Sequence, residues 1–181
     1  MKLKKSSVCF LVLILMISLL AGCASETGKD EVNNNYEEFG SIVGFVVNID
    51  ESGRSLVVSE TPLDFSDTGG DEEFYEAIYF SEMPEKVEVG DKVKVWYDIV
   101  MESYPAQSSA EHAEILEPNR PEGANKSEKQ VVINALAVMS EEGGLNVNGV
   151  KSVEFDKENS NWVVELVNIF TREVSKVEIE D

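Results

Sequence analysis

One histidine and two cysteines are all that the sequence offers for imidazole or thiol chemistry. His112 lies in Glu111 to Glu117, which reads as a short strand. A histidine base needs a positioned nucleophile and a group that orients its ring. Ser103, Ser108 and Ser109 are near in sequence, but no nucleophile-elbow pattern surrounds them. A strand histidine without a catalytic role is the expectation. Beyond Cys23 the chain has no thiol, so a disulfide, a thiolate metal site and a cysteine nucleophile are excluded there. Carboxylates are the abundant group. Asp64, Asp67 and Asp71, with Glu72 and Glu73, surround Gly69-Gly70. Hard cations favour carboxylate and carbonyl oxygens on a flexible loop. Asp64, Asp67 and Asp71 are therefore the candidate Ca²⁺ ligands, with a solvated acidic loop as the alternative; their spacing is not that of an EF-hand. No Gly-rich phosphate loop or dinucleotide fingerprint is present. No cofactor and no enzymatic activity are expected.

Cys23 carries a different chemistry. Lys2, Lys4 and Lys5 precede a nearly unbroken apolar run from Val8 to Ala21, and Leu20-Ala21-Gly22-Cys23 follows. A basic start, a short apolar run and small residues before a cut are the parts of a signal peptide. The run is shorter than the roughly 20 residues of a spanning helix. The Leu-Ala-Gly-Cys ending resembles the bacterial lipobox. It predicts a signal peptide over 1–22, cleavage before Cys23 and a diacylglyceryl group on that cysteine. The expected location is the extracytoplasmic face of the cell membrane, with the bilayer as the partner of acylated Cys23.

The charge limits what else the chain can hold. The formal net charge is -20, from 15 basic and 35 acidic side chains. Removing the leader takes three lysines and no carboxylate. Binding to phosphates is driven by Lys and Arg displacing counterions, so nucleic acid is excluded. A peripheral anionic membrane surface is disfavoured for the same reason.

The elements follow from periodicity. Residues 23–38 are polar and read as a lipidated, disordered tether. Residues 39–117 read as all-β, with strands at Ile42–Ile49, Ser55–Glu60, Phe74–Phe80, Lys92–Asp98 and Glu111–Glu117. In the fourth, Val93, Val95 and Tyr97 share one face while Lys92, Lys94 and Trp96 share the other. Five half-apolar strands must close or stack, which predicts a small OB-like barrel or a β-sandwich. Residues 118–126 read as a linker, rich in Pro and Gly. Residues 127–181 read as a helix followed by a three-stranded antiparallel meander. Ser127 and Gln130 form a capping box, and Gly143-Gly144 ends the helix. The fold class is thus mainly β with one α-helix, in two modules.

Two resemblances are carried by particular residues. Gly44-Phe45-Val46, Ala77-Ile78-Tyr79-Phe80, Val89 to Trp96 (VGDKVKVW) and Glu102 to Gln107 (ESYPAQ) resemble a YobA-like domain of unknown function, found in small lipoproteins and secreted proteins of Gram-positive bacteria. The resemblance covers about residues 40–117 and implies fold and location, with no catalytic residues to carry over. The order helix then meander, with Trp162-Val163-Val164-Glu165-Leu166 and a closing Val177-Glu178-Ile179-Glu180-Asp181, resembles a PepSY-type unit. That resemblance implies regulation of a peptidase.

The leading functional expectation is binding or regulation of another extracytoplasmic protein. The alternative is an acidic cation-binding or envelope-structural lipoprotein. Among the aromatics, Trp96 and Tyr104 are candidates for a recognition face; the alternative for Tyr104 is a turn residue whose ring packs on the end of the barrel. On the helix, Val131, Ala135 and Val138 lie on one flank, and Val132, Leu136 and Met139 on the next. A small sheet covers about half a helix, so the other flank must be covered by the β-unit, a second copy or a protein partner; in the last case Val131 and Val138 are its binding residues.

Overall fold

A computed structural model describes residues 36–140 and 147–181. The signal peptide, Cys23, most of the tether and the Gly143-Gly144 helix stop lie outside the described residues. Among the described residues no helix is long and apolar enough to cross a membrane.

A short 3-10 turn, Tyr36–Glu38, leads into strand β1, Gly40–Ile49. An Asp50 turn connects β1 to β2, Ser55–Ser59: the Asp50 carboxylate accepts the N–H groups of Ser52 and Arg54 at 2.9 and 3.0 Å. Strands β3 (Ala77–Ser81), β4 (Lys92–Tyr97), β5 (Ala106–Ser109) and β6 (His112–Ile115) follow. Helix α1 spans Glu128–Ser140, and β7 (Asn148–Asp156), β8 (Asn161–Asn168) and β9 (Val174–Glu180) complete the chain. The mainly β class with one helix is as expected, and so is the antiparallel meander β7-β8-β9.

The first sheet corrects the expected five-stranded barrel. It has six strands in the order β5-β3-β2-β1-β4-β6 and its ladder is not closed. β5 pairs parallel to β3, and β6 antiparallel to β4. Yet only Ala110 and Glu111 separate these two edge strands. Ala110 N donates to Ser81 O on one edge, and Glu111 N donates to Trp96 O on the other. Adjacent Cα atoms are 3.8 Å apart, so the sheet curls until its edges lie side by side. The strand expected at 111–117 is β6, and β5, at 106–109, is a sixth strand on the opposite edge that the periodicity did not place.

Inside the curl, Ile42, Val46, Val57, Ile78, Phe80, Val93 and Val95 form one buried cluster. Val93 and Val95 face inward while Trp96 faces out, as their alternation requires. The outer face is buried too. Leu56, Val58, Tyr75 and Ala77 pack with Val167 and Ile169. Phe45 of β1 joins Val131, Val132, Ala135, Trp162, Val164 and Leu166 in a third cluster beneath the helix. Tyr36–Asp181 is accordingly one compact unit. This corrects the reading of 118–126 as a linker between separate modules, because the two halves share two apolar clusters.

The 118–126 segment is itself fixed. Glu128 N donates to Asn119 O at 2.8 Å. The Asp181 carboxylate accepts the Asn125 N–H at 2.7 Å, the Lys126 N–H at 2.9 Å and the Trp162 indole N–H at 2.9 Å. Ser127 N donates to Gln130 Oε1 at 2.8 Å, the return arm of the capping box. The Asn125 and Lys126 N–H groups, with the Trp162 indole, hold the Asp181 carboxyl down at about 2, against 3.8 ordinarily. A depressed carboxylate stabilises the fold fully above its unfolded value, and that contribution fades as pH falls toward 2. Asp181→Asn is expected to lower stability at pH 7 and to flatten the loss of stability between pH 4 and 2. Chemical denaturation across that pH range measures it, and an unchanged slope would refute the clamp.

Candidate binding surface

The residues singled out by sequence do not converge on one site. Gly90 and Asp91, in the Val89–Trp96 stretch, hold the helix. Asp91 is 5 % exposed; its Oδ1 lies 2.8 Å from Lys129 Nζ, and its Oδ2 accepts the Glu88 N–H at 2.8 Å. Lys129 Nζ also reaches Glu88 Oε2 at 2.8 Å. Gly90 has φ +89°, and a Cβ there would stand 2.5 Å from Ile133 Cγ1 and 3.1 Å from Lys129 O.

The acidic loop is not assembled as a cation site. Among the described residues no three His, Cys, Asp or Glu side chains come together to hold a metal ion. Asp64 Oδ1 accepts the Ser66 N–H at 2.8 Å, Asp67 sits in the 3-10 turn Ser66–Thr68, and Asp71 pairs with Arg172 at 2.6 Å. Glu73 is bridged by Lys151 at 2.7 Å. The expectation of converging ligands is corrected: Asp71 and Glu73 are each paired with a cation from the C-terminal half, while Asp64 accepts a backbone N–H of its own turn.

Tyr104 is packed as part of the same contact. Its hydroxyl donates to Tyr75 O at 2.9 Å, and its ring lies 5.3 Å from Phe74 and 5.8 Å from Phe170. Burial pushes its phenol above the ordinary range. It fastens the 102–105 turn to the β8–β9 end. Trp96 is half-buried, with Lys94 Nζ 4.5 Å above its ring and His112 at 5.2 Å. His112 stacks on Tyr36 at 4.4 Å with an interplanar angle of 8°. These rings pack Tyr36 against β4 and β6.

Val131 is fully buried, which corrects its place as a binding residue; Phe45 and the meander cover that flank. Val138 is 47 % exposed and Ile133 is 38 % exposed. The helix therefore leaves open a strip facing away from the sheet, not a whole flank.

Among the described residues, the most exposed apolar group was not legible as a site. Ile99, Val100 and Met101 are 76 %, 38 % and 62 % exposed. They follow β4 directly and are flanked by Asp98 and Glu102, both exposed. Met101 N donates to Gln107 O, which lays the segment across β5. Behind it lies an open cleft of about 360 Å³, bounded by Arg54, Tyr79, Ser81, Gln107, Ile99 and Met101. Arg54 is held there by Asp50 at 2.8 Å and donates to Gln107 Oε1 at 2.7 Å, with its guanidinium 5.3 Å from the Tyr79 ring. Its charge is already paired, so the cleft suits an apolar side chain better than an anion. An uninterrupted Ile-Val-Met between two acids, outside any strand period, was the signal available.

Residues 43–117 match the family described as protein of unknown function (DUF3221). The Bacillus subtilis (strain 168) protein called uncharacterized protein YobA is 28% identical over 123 residues, 62% of this chain and 98% of the relative. Two solved structures of B. subtilis YobA are similar. A crystal structure has 25% identity, covering 43% of this chain and 95% of that one, with TM-score 0.32. A solution structure of its residues 21–120 has 22% identity, covering 49% and 91%, with TM-score 0.34.

Proposed function

We propose that this chain, whose residues 43–117 are a YobA-like domain of unknown function, is a lipid-anchored extracytoplasmic protein that acts by binding another protein. Anchoring rests on Leu20-Ala21-Gly22-Cys23 after the apolar run. Binding rests on one observation, the consecutive exposure of Ile99, Val100 and Met101 at the rim of the cleft. Keeping apolar area in water forgoes about 25 cal/mol per Å², and clustered exposure of this kind marks interaction sites. Asp98 and Glu102 oppose insertion into an anionic bilayer and favour a partner with an apolar pocket inside a basic rim. The helix-then-meander order resembles PepSY-type units, which makes an extracytoplasmic peptidase the first partner to try.

A photo-crosslinking residue at position 101 of the full chain, activated in cells, tests the binding. A discrete protein adduct is expected, and it is lost when Ile99→Glu is added. Adducts to lipid alone, or an adduct unaffected by Ile99→Glu, would refute the reading.

A further inference from the structure

β9 is an edge strand, and its open side has a defined pattern. Asn168 N donates to Glu173 O at one end of the β8–β9 ladder, and Asp181 N donates to Ser160 O at the other. The pairing between them is regular, with Val177 opposite Val164. Antiparallel residues alternate between facing their partner and facing away. The odd-numbered residues of β9 therefore spend their backbone groups on β8. Val174, Lys176, Glu178 and Glu180 direct theirs outward. Lys126 Nζ donates to Glu180 O. Among the described residues nothing pairs with the outward groups of Val174, Lys176 and Glu178.

We infer that this edge pairs with β9 of a second copy of the chain, antiparallel and centred on Val177. The register follows from charge. Outward-facing residues must meet outward-facing residues, so only even-numbered positions pair through hydrogen bonds. Centring on Lys176 sets Lys176 against Lys176; centring on Glu178 sets Glu178 against Glu178. Like charges directly opposite are destabilising. Centring on Val177 sets each Lys176 opposite a Glu178, twice by symmetry, and each pair exchanges both of its ladder bonds. Both side chains are free to make that contact: they are 56 % and 64 % exposed, and within one copy they meet only at 3.7 Å. Val177 and Ile179 face the helix on the opposite side, so the pairing extends the meander into a continuous sheet with both helices on one face. Self-complementarity about a two-fold axis is the ordinary route to a closed dimer. The chain's net charge of -20 opposes association, so the contact strengthens as salt screens that repulsion.

The inference is independent of the cleft at Ile99–Met101. Its test uses the full chain with Cys9→Ser and Cys23→Ser in detergent, a background without thiols, at about 0.15 M salt. Under mild oxidation, Val177→Cys is expected to form a disulfide-linked dimer. Lys176→Cys alone and Glu178→Cys alone are expected not to, while an equimolar mixture of the two does. Lys176→Glu is expected to lower Val177→Cys crosslinking about tenfold, and adding Glu178→Lys to restore it. Both positions are exposed, and circular dichroism checks that the variants fold. Equal yields from all three single cysteines, or no recovery in the charge-swapped pair, overturn the inference. So does a chain that stays monomeric throughout, which would leave the edge to a different extended partner.

Discussion

Cys23→Ala is expected to abolish fatty-acid labelling of the chain and to leave its leader uncut by the lipoprotein peptidase. The reasoning is chemical. Cys23 is the one thiol beside the small residues Ala21 and Gly22, and alanine offers no sulfur to alkylate. The energetic stake is large. Each buried methylene contributes about 0.8 kcal/mol, and one acyl chain gives only marginal binding whereas two give a stable anchor. Nothing in the composition replaces them, since carboxylates outnumber basic side chains 35 to 15. Metabolic labelling with a palmitate analogue, followed by membrane fractionation, reads the outcome. Unchanged labelling in the variant would overturn the anchoring proposal.

Gly44→Ala is expected to be the most damaging single methyl in the folded body. β1 crosses β2 so closely at this point that a Cβ on Gly44 would stand 1.9 Å from Val58 O and 2.6 Å from Val58 C. Both are backbone atoms in the middle of the sheet, between Phe45–Val58 and β4 pairing on the other side. They cannot rotate away as a side chain would. Overpacking a well-packed core typically costs up to about 3 kcal/mol, and backbone must move here, so the upper end applies. At this chain length that is on the order of 10 °C in Tm. Thermal unfolding by circular dichroism measures it. Gly53→Ala is the comparison: its φ of +80° brings a modest strain, but nothing lies within 4 Å of the added methyl. A smaller loss at Gly44 than at Gly53 would refute the argument.

What the sequence made legible was set by side-chain alternation. Strands β1, β2 and β4, the meander and the Ser127–Gln130 cap carry their periods and cap residues openly. β5 does not: Ala106-Gln107-Ser108-Ser109 shows no apolar face, because an edge strand is defined by backbone bonds to β3. The shared core left a trace that alternation missed. Ile42 to Val47 is nearly continuous in apolar residues, the mark of a strand buried on both faces; Val46 points into the curl and Phe45 beneath the helix. For the same reason Val131 looked available when it was covered. The acidic loop misled in the opposite way. Local spacing displays Asp71 and Glu73, but their neutralising partners, Arg172 and Lys151, arrive from far along the chain.

The placement of β1 has a mechanical consequence for a chain held by Cys23. Any pull along the N-terminal stretch enters the body at Tyr36, wedged against His112 and Trp96, and passes to β1. β1 is flanked by β2 and β4, both antiparallel to it, and carries Phe45 into the helix cluster. A load along its axis must shear two ladders at once instead of peeling one bond at a time from an edge. Under the proposed anchoring, tension on the chain is thereby delivered to a strand paired along both of its edges.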